Sequence, residues 1–367
     1  MGATILLPSV AAAVAVKSSH WLELQSRILS RVITGSAFAA WLALTSSAVQ
    51  AQDKTYAMKI TLPTINDAPH VFAKNFAAAV ERDSGGRIKA EVYPASQLGS
   101  MPRQIEGVQF GAIQVAVIPP EFYVGVDERF GIMAAPGLVD SIAHGQRVAA
   151  DPAVLQLMLG LGTDKGLHGA ALFIASPTCL LSRTPVRHVT DLQGKKIRIF
   201  ASEFQSTAFK RIGVTPVAMS LGDVLPALQQ GAIDGAIAGI GPFVLMHFND
   251  AAKYITEFNQ PAIFLIVEVS KKWYDTLPAD LQQIVDRDAA AEAVAINPTA
   301  LKMYDEQRKD WVKGGGELIS FPPDEQAQLM ATLASVGEDV SKSKPALHEA
   351  YQAVVDAAKR TRQAPSQ

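Results

Sequence analysis

The sequence predicts an α/β fold divided into two similar lobes, and three observations carry that expectation. The chain has 367 residues, too long for one ordinary core and suited to two units of roughly 100–200 residues each. Strand-like and helix-like periods alternate along it, the rhythm of βαβ units in an open, mostly parallel sheet. A strongly β-prone run, Ile263–Val269, comes after the second set of alternating units has ended, as expected if the chain crosses back to the first lobe.

Each element has its own signal. Lys59–Leu62 reads as a strand, and Ile65–Ser84 carries Val71, Phe72, Phe76, Ala79 and Val80 at helical spacing, with Asp67 or Asn66 as N-cap and Gly85-Gly86 as the stop. Ile88, Ala90 and Val92 alternate with Lys89, Glu91 and Tyr93, the period of a half-buried strand that Pro94 ends. Pro102–Phe110 reads as a helix, and Ile113–Ile118, apolar apart from Gln114, as a covered parallel strand. A helix near Ile142–Gly160 and a strand at Gly169–Ile174 lead to the first crossing between lobes. The second lobe then reads Lys195–Phe200 (strand), Ser202–Ile212 (helix), Thr215–Met219 (strand), Asp223–Gln230 (helix) and Gly231–Ala238 (strand). From Pro278 to Lys313 the pattern is helical, with Leu281, Ile284, Val285, Ala289 and Val294 in phase and an interruption near Pro298. Glu325–Val336 and Leu347–Ala358 read as terminal helices. The expected organisation is residues 1–51 as a leader, 52–173 as lobe I with a return segment of about 262–295, and 174–261 as lobe II with helices over about 296–360. A polar tail, 361–367, ends the chain.

The leader is a secretory signal: Arg27 and Arg31 precede the apolar run Val32–Leu44, and Ser46–Ala51 ends in small residues at peptidase positions. That run is shorter than the ~20 apolar residues of a membrane-spanning helix, so cleavage after Ala51 and a periplasmic mature chain, without membrane insertion, are expected. The remainder holds 30 Lys+Arg against 34 Asp+Glu, with no basic stripe to receive nucleic acid. Cys179, the single cysteine, reads as a small buried apolar residue.

Four blocks carry further information. Val92–Gly99 (VYPASQLG), Ile105–Val117 (IEGVQFGAIQVAV), Asp191–Arg198 (DLQGKKIR) and Ala227–Gly235 (ALQQGAIDG) each join strand, turn and helix in α/β units. In this order and spacing they resemble the extracytoplasmic solute-binding subunits of TRAP transporters, and the resemblance covers nearly all of the chain after residue 55. It implies a two-lobed fold like that of type II periplasmic binding proteins, with hinge strands and a long bracing C-terminal helix. It also implies an organic-acid ligand, small and large TRAP membrane subunits as partners, and Arg198 as the carboxylate anchor. A guanidinium fork suits that role in geometry as well as charge; the residue-level alternative is a surface ion pair with Asp191 or Glu203.

Departures from the family pattern run from polar to apolar. Ala236, Ile237 and Ala238 stand where relatives carry an amide, and Thr178, between Pro177 and Cys179, stands where many carry a second Arg. Ile118, Pro119, Pro120, Glu121 and Phe122 occupy the stretch after the first-lobe strand, and Leu221 replaces an aromatic in Met219–Asp223. A pocket lined by Ile118, Pro119, Phe122, Leu221 and Ala238 leaves several ligand hydroxyls or a second carboxylate unpaired, at ~1–3 kcal/mol for each buried polar group. The expectation is therefore a monocarboxylate with an apolar or aromatic body. Phe200 and Tyr123 are candidates to stack on a ring, Thr178 to offer a hydroxyl, and His70 to face the cleft. A C4-dicarboxylate-type ligand, bridged by Thr178 or water, is the alternative within the class; a sensor serving a receptor and a secreted α/β hydrolase or isomerase are alternatives outside it. Scattered single histidines, no G-x-S-x-G elbow and no P-loop give no catalytic, metal or cofactor constellation.

Overall fold

β1 (Tyr56–Thr61), the helix Ala68–Asp83, β2 (Ile88–Tyr93), the helix Met101–Phe110 and β3 (Val115–Ile118) open the computed structural model, which describes residues 54–258 and 262–362. The proposed signal peptide and residues 363–367 of the tail lie outside the described residues. β1 pairs in parallel with both β2 and β3, so two βαβ units place the carboxyl ends of β1 and β3 side by side. Asp67 is the N-cap of the first helix, whose Phe72, Phe76 and Val80 are buried. Phe72 stacks on Phe173 at 4.4 Å between ring centroids and fixes the helix to the sheet.

β4 (Leu167–Ser176) and β10 (Ile263–Ser270) complete the first sheet in the order β2-β1-β3-β10-β4, with β10 antiparallel to both neighbours. The second sheet contains β5 (Cys179–Ser182), β6 (Lys196–Ile199), β7 (Thr215–Ala218), β8 (Gly235–Ala238), β9 (Tyr254–Glu257) and β11 (Glu317–Ser320), ordered β11-β9-β5-β8-β6-β7. β6, β7 and β8 are parallel, and β5 runs antiparallel to β8. Each sheet is thus a parallel triplet closed by an antiparallel strand that arrives from the other sheet. The chain passes between sheets at Pro177-Thr178 and between β9 and β10.

Several elements differ from the sequence reading. The single helix expected over 142–160 is two, Ile142–Ala149 and Pro152–Gly160. Pro152 cannot continue the first, and the Asp151 carboxylate accepts from the N–H groups of Ala153 and Val154 to start the second. β5, β9 and β11, each four residues long, have no counterpart among the strands expected from the sequence. The bracing element is a pair of 17-residue helices, Ala279–Ala295 and Asn297–Lys313, with Pro298 in the first turn of the second. The first lies on β4 and on Ala68–Asp83; the second touches Ile240–Leu245, β4 and β11, so the pair spans both sheets. Val294 is exposed, because the buried stripe runs through Leu281, Val285, Ala289 and Ala293.

The C-terminal helices, expected together on lobe II, divide. Pro323–Leu333 and Val336–Ser341 contact the helix Glu203–Arg211, whereas Pro345–Thr361 packs on Ile142–Ala149 and Pro152–Gly160. There His144 Nε2 lies 2.8 Å from Ala358 O, and Arg360 reaches Asp151 at 3.1 Å.

Backbone contact makes one glycine a test of this packing. A Cβ on Gly169 in β4 would stand 2.5 Å from Leu159 Cα and 2.7 Å from Leu159 O, so the strand and helix Pro152–Gly160 must separate to admit it. Gly169→Ala is expected to destabilise by roughly 1–3 kcal/mol, while Gly160→Ala, with nothing within 4 Å, is expected to be neutral or mildly stabilising. Urea denaturation of the two variants checks the contrast.

Candidate functional site

A cavity lies between the two sheets, lined largely by the segments just past their parallel strands. Pro63, Thr64 and Asp67 come after β1, Pro119 and Phe122 after β3, Phe200 after β6, and Gly239 and Gly241 after β8. In open α/β sheets ligands gather at the carboxyl ends of the strands, where the strand order reverses; here both sheets present that edge to one space. The bracing helix Asn297–Lys313 closes it with Ala300, Met303, Tyr304 and Gln307. The cavity measures about 70 Å³, which at roughly 10–15 Å³ per water-sized site amounts to on the order of five to seven such sites.

Arg198, in β6, lines this space and is 1% exposed. Its Nε donates to Met219 O at 3.0 Å and its Nη1 to Ile237 O at 2.8 Å. The guanidinium carbon stands 4.8 Å from the centre of the Phe200 ring and 5.9 Å from that of Phe122, and the two rings adjoin each other at 5.4 Å, a cation–π environment on one flank. No carboxylate lies within ion-pair distance among the described residues. Asp191 instead accepts from the backbone N–H groups of Arg187 and His188, and Glu203 pairs with Lys344, so the alternative surface ion pair does not form. Burial pulls the guanidinium down to about 9, partly offset by the fields of Glu121 and Asp223. A buried cation held by two carbonyls and two rings leaves its remaining N–H groups for an anion.

The cavity brings together Arg198, Phe200, Pro119, Phe122, Leu221 and Ala238 from the sequence reading. Three others lie elsewhere. Ile118 faces the opposite side of β3, in the core with Ala116, because successive residues of a strand alternate faces and Val117 takes the cavity side. Thr178 lies at the crossing and lines a neighbouring cleft with Glu257 and Arg308. His70 is inside the first helix, its Nδ1 accepting from Asn66 N–H at 2.9 Å, and it does not line the cavity. Tyr123, one residue past Phe122, turns into the core against Phe130 at 5.2 Å. Cys179 is buried, its thiol pushed up by burial.

Asp67, Thr64 and Gln307 were not read as site residues, yet all three line the cavity. Asp67 Oδ1 accepts from Thr64 Oγ1 at 2.9 Å and from His70 N–H at 3.3 Å, and burial pushes its carboxyl up to about 6. Sequence identified Asp67 only as a cap; Gln307 gave no signal.

The model of the family described as bacterial extracellular solute-binding protein, family 7, matches residues 63–343. The chain is 25% identical over 320 residues to the C4-dicarboxylate-binding periplasmic protein DctP of Rhodobacter capsulatus, across 86% of this chain and 95% of that protein. It is 26% identical over 260 residues to the 2,3-diketo-L-gulonate-binding periplasmic protein YiaO of Escherichia coli (strain K12), across 69% and 76% of the two. A TRAP periplasmic solute-binding protein from Desulfovibrio salexigens with bound orotic acid has the same fold, with TM-score 0.77 at 20% identity, covering 84% of this chain and 100% of that one. The sugar-acid-binding protein of Advenella mimigardefordensis in complex with galactonate gives TM-score 0.78 at 20% identity, over 84% and 99%. The likeness in fold bears out the two-lobed α/β architecture.

Glu121, in the turn after β3, supplies a pH test. It is 2% exposed, its Oε2 has no partner, and burial pushes its carboxyl up to about 8, opposed weakly by Arg198. A carboxyl raised on folding binds its proton more tightly when folded, so its contribution to stability is full below the ordinary carboxyl range and is lost as pH rises through about 8. The ligand-free protein is expected to lose stability, on the order of a few kcal/mol, between pH 5 and 8, and Glu121→Gln to flatten that slope. Urea midpoints across this window check it.

Proposed function

Because the chain belongs to the bacterial extracellular solute-binding proteins of family 7, we propose that it captures a small monocarboxylic acid with a largely apolar body. The acid headgroup rests on Arg198, the body against Phe122, Phe200, Leu221 and Ala238, and the loaded protein delivers it to the small and large TRAP membrane subunits. With the secretory signal read in residues 1–51, the site of capture is the periplasm. No helix among the described residues is long and apolar enough to cross a membrane, so the membrane step belongs to those partners.

The observation that carries this reading is a fully buried guanidinium that lines a cavity and has no ion-pair partner among the described residues. Taking an unpaired charge out of water costs several kcal/mol unless a counter-charge arrives. A carboxylate supplies it, and the carbonyls of Met219 and Ile237 hold the fork in place to receive both oxygens.

Charge also bears on the alternative suggested by the dicarboxylate-binding relative. The carboxyl that lines the cavity is that of Asp67, which repels a second carboxylate. Arg308 lies nearby, but its guanidinium is occupied by Glu257 at 2.8 and 2.9 Å. A single anionic end fits.

Closure follows from where the lining comes from. The cavity is shared among loops of both sheets and the bracing helix, and it is completed only when the lobes meet, a hinge motion about the two crossings. Ser202 Oγ, at the start of the helix after β6, donates to Gly131 O at 3.0 Å. Lys344 bonds Glu128 at 2.9 Å and Glu203 at 2.8 Å. Both contacts join segments that come after strands of different sheets.

Arg198→Ala is expected to abolish the rise in melting temperature that monocarboxylates give the wild-type protein by mass action, with circular dichroism unchanged. Arg198→Lys keeps the charge and loses the fork, and is expected to weaken binding by about 10-fold or more. Thermal shift over aliphatic, keto and aromatic acids checks both; melting shifts from dicarboxylates alone overturn the ligand class.

A further inference from the structure

The cavity has a second polar pole, away from the guanidinium and unused by a purely apolar ligand body. Asp67 is 5% exposed and Gln307 7% exposed, and both line the cavity. They meet at Gly241: a Cβ there would stand 3.0 Å from Gln307 Oε1, 3.1 Å from Gln307 Nε2 and 3.3 Å from Asp67 Cβ. The glycine keeps this corner open where a side chain would fill it. The bonds Asp67 receives from Thr64 and His70 both fall on Oδ1, so Oδ2 has no donor from another residue. The Gln307 amide has no hydrogen bond among the described residues. Two side chains more than nine-tenths buried therefore turn unused hydrogen-bonding capacity toward the same space, which is costly unless a ligand uses it.

What they accept and donate specifies the ligand group. A carboxylate oxygen offers only lone pairs, and an amide offers both a carbonyl and an NH2. A single hydroxyl answers both, donating to Asp67 Oδ2 and accepting from Gln307 Nε2. An ammonium, with donors and no lone pair, would have to use Gln307 Oε1 in place of Nε2. A second carboxylate is repelled by Asp67. We propose that the ligand is a hydroxy acid, its carboxylate on Arg198 and its hydroxyl held between Asp67 and Gln307, which are the specificity-determining residues of the site.

This deepens the monocarboxylate reading and rests on it. It also links selection to closure, because Asp67 comes after β1 of the first sheet, Gly241 after β8 of the second, and Gln307 from the bracing helix. The hydroxyl is then read only by the assembled corner.

Calorimetric titration of the purified protein with paired straight-chain and ring-bearing acids, each with and without one hydroxyl and with the corresponding amine, tests the proposal. Wild type is expected to bind at least one hydroxy acid about 10-fold or more tighter than its deoxy partner, and tighter than the amino acid. Asp67→Asn keeps an oxygen for the helix cap, at which Asn and Asp serve about equally, but replaces the free acceptor with a donor. It is expected to retain the wild-type circular dichroism while bringing the hydroxy-to-deoxy affinity ratio close to one. Gln307→Leu is expected to lower the same ratio without touching the cap. Equal binding of every pair by wild type, a preference for the amine, or an equal loss for both members in Asp67→Asn overturns the hydroxyl assignment and leaves the Arg198 anchor standing. Binding of none of the acids overturns both.

Discussion

The structure depends on a positive charge placed where water cannot reach it. Arg198 is buried against two adjoining aromatic rings and fastened by two backbone carbonyls, with no ion-pair partner among the described residues. Inside a protein, electrostatic interactions are stronger than in water, so the same burial that penalises the empty site strengthens the bond to an arriving carboxylate. The carbonyls of Met219 and Ile237 come from the ends of neighbouring segments in the second sheet. The fork is therefore aimed by secondary structure and does not rely on a flexible loop.

The two sheets serve this charge in a common way. Each contributes the carboxyl ends of a parallel triplet, and each is closed by an antiparallel strand that crosses from the other. The paired helices Ala279–Ala295 and Asn297–Lys313 lie across both sheets, and the second of them carries Gln307 to the cavity. Bracing and cavity lining are thus performed by one element.

Much of this was legible in the sequence, and the exceptions have physical causes. Asp191–Arg198 announced a turn and a strand ending in a fixed charge, and the residues just after strand ends, Pro119, Phe122, Phe200 and Leu221, fell on the cavity because that is where strands of an α/β sheet deliver them. Ile118 did not, because Val115–Ile118 is apolar throughout and buried on both faces; such a run carries no alternation from which parity can be read. Asp67 was visible but fully explained by its local role as a cap, which masked its second role. Gln307 sits on a helix rich in exposed polar residues, where nothing local separates a buried amide from its solvated neighbours, and its burial arises from Gly241 far away in sequence.

The polar groups of the cavity make sense only when taken together. In the proposed assignment Arg198 would select an acid, and the apolar wall of Phe122, Phe200, Leu221 and Ala238 would disfavour bodies with many unpaired hydroxyls, because each would lose its water without replacement. Asp67 would act by charge: a buried carboxyl disfavours a second anion, although burial holds its own charge less firmly than usual. Three different costs, an unpaired cation, an unpaired hydroxyl and two anions in contact, would all be avoided by one molecule with one acid group and a single hydroxyl. Specificity of that kind comes as much from what a site penalises as from what it holds, which is how a cavity of about 70 Å³, with few polar contacts to offer, would discriminate among organic acids.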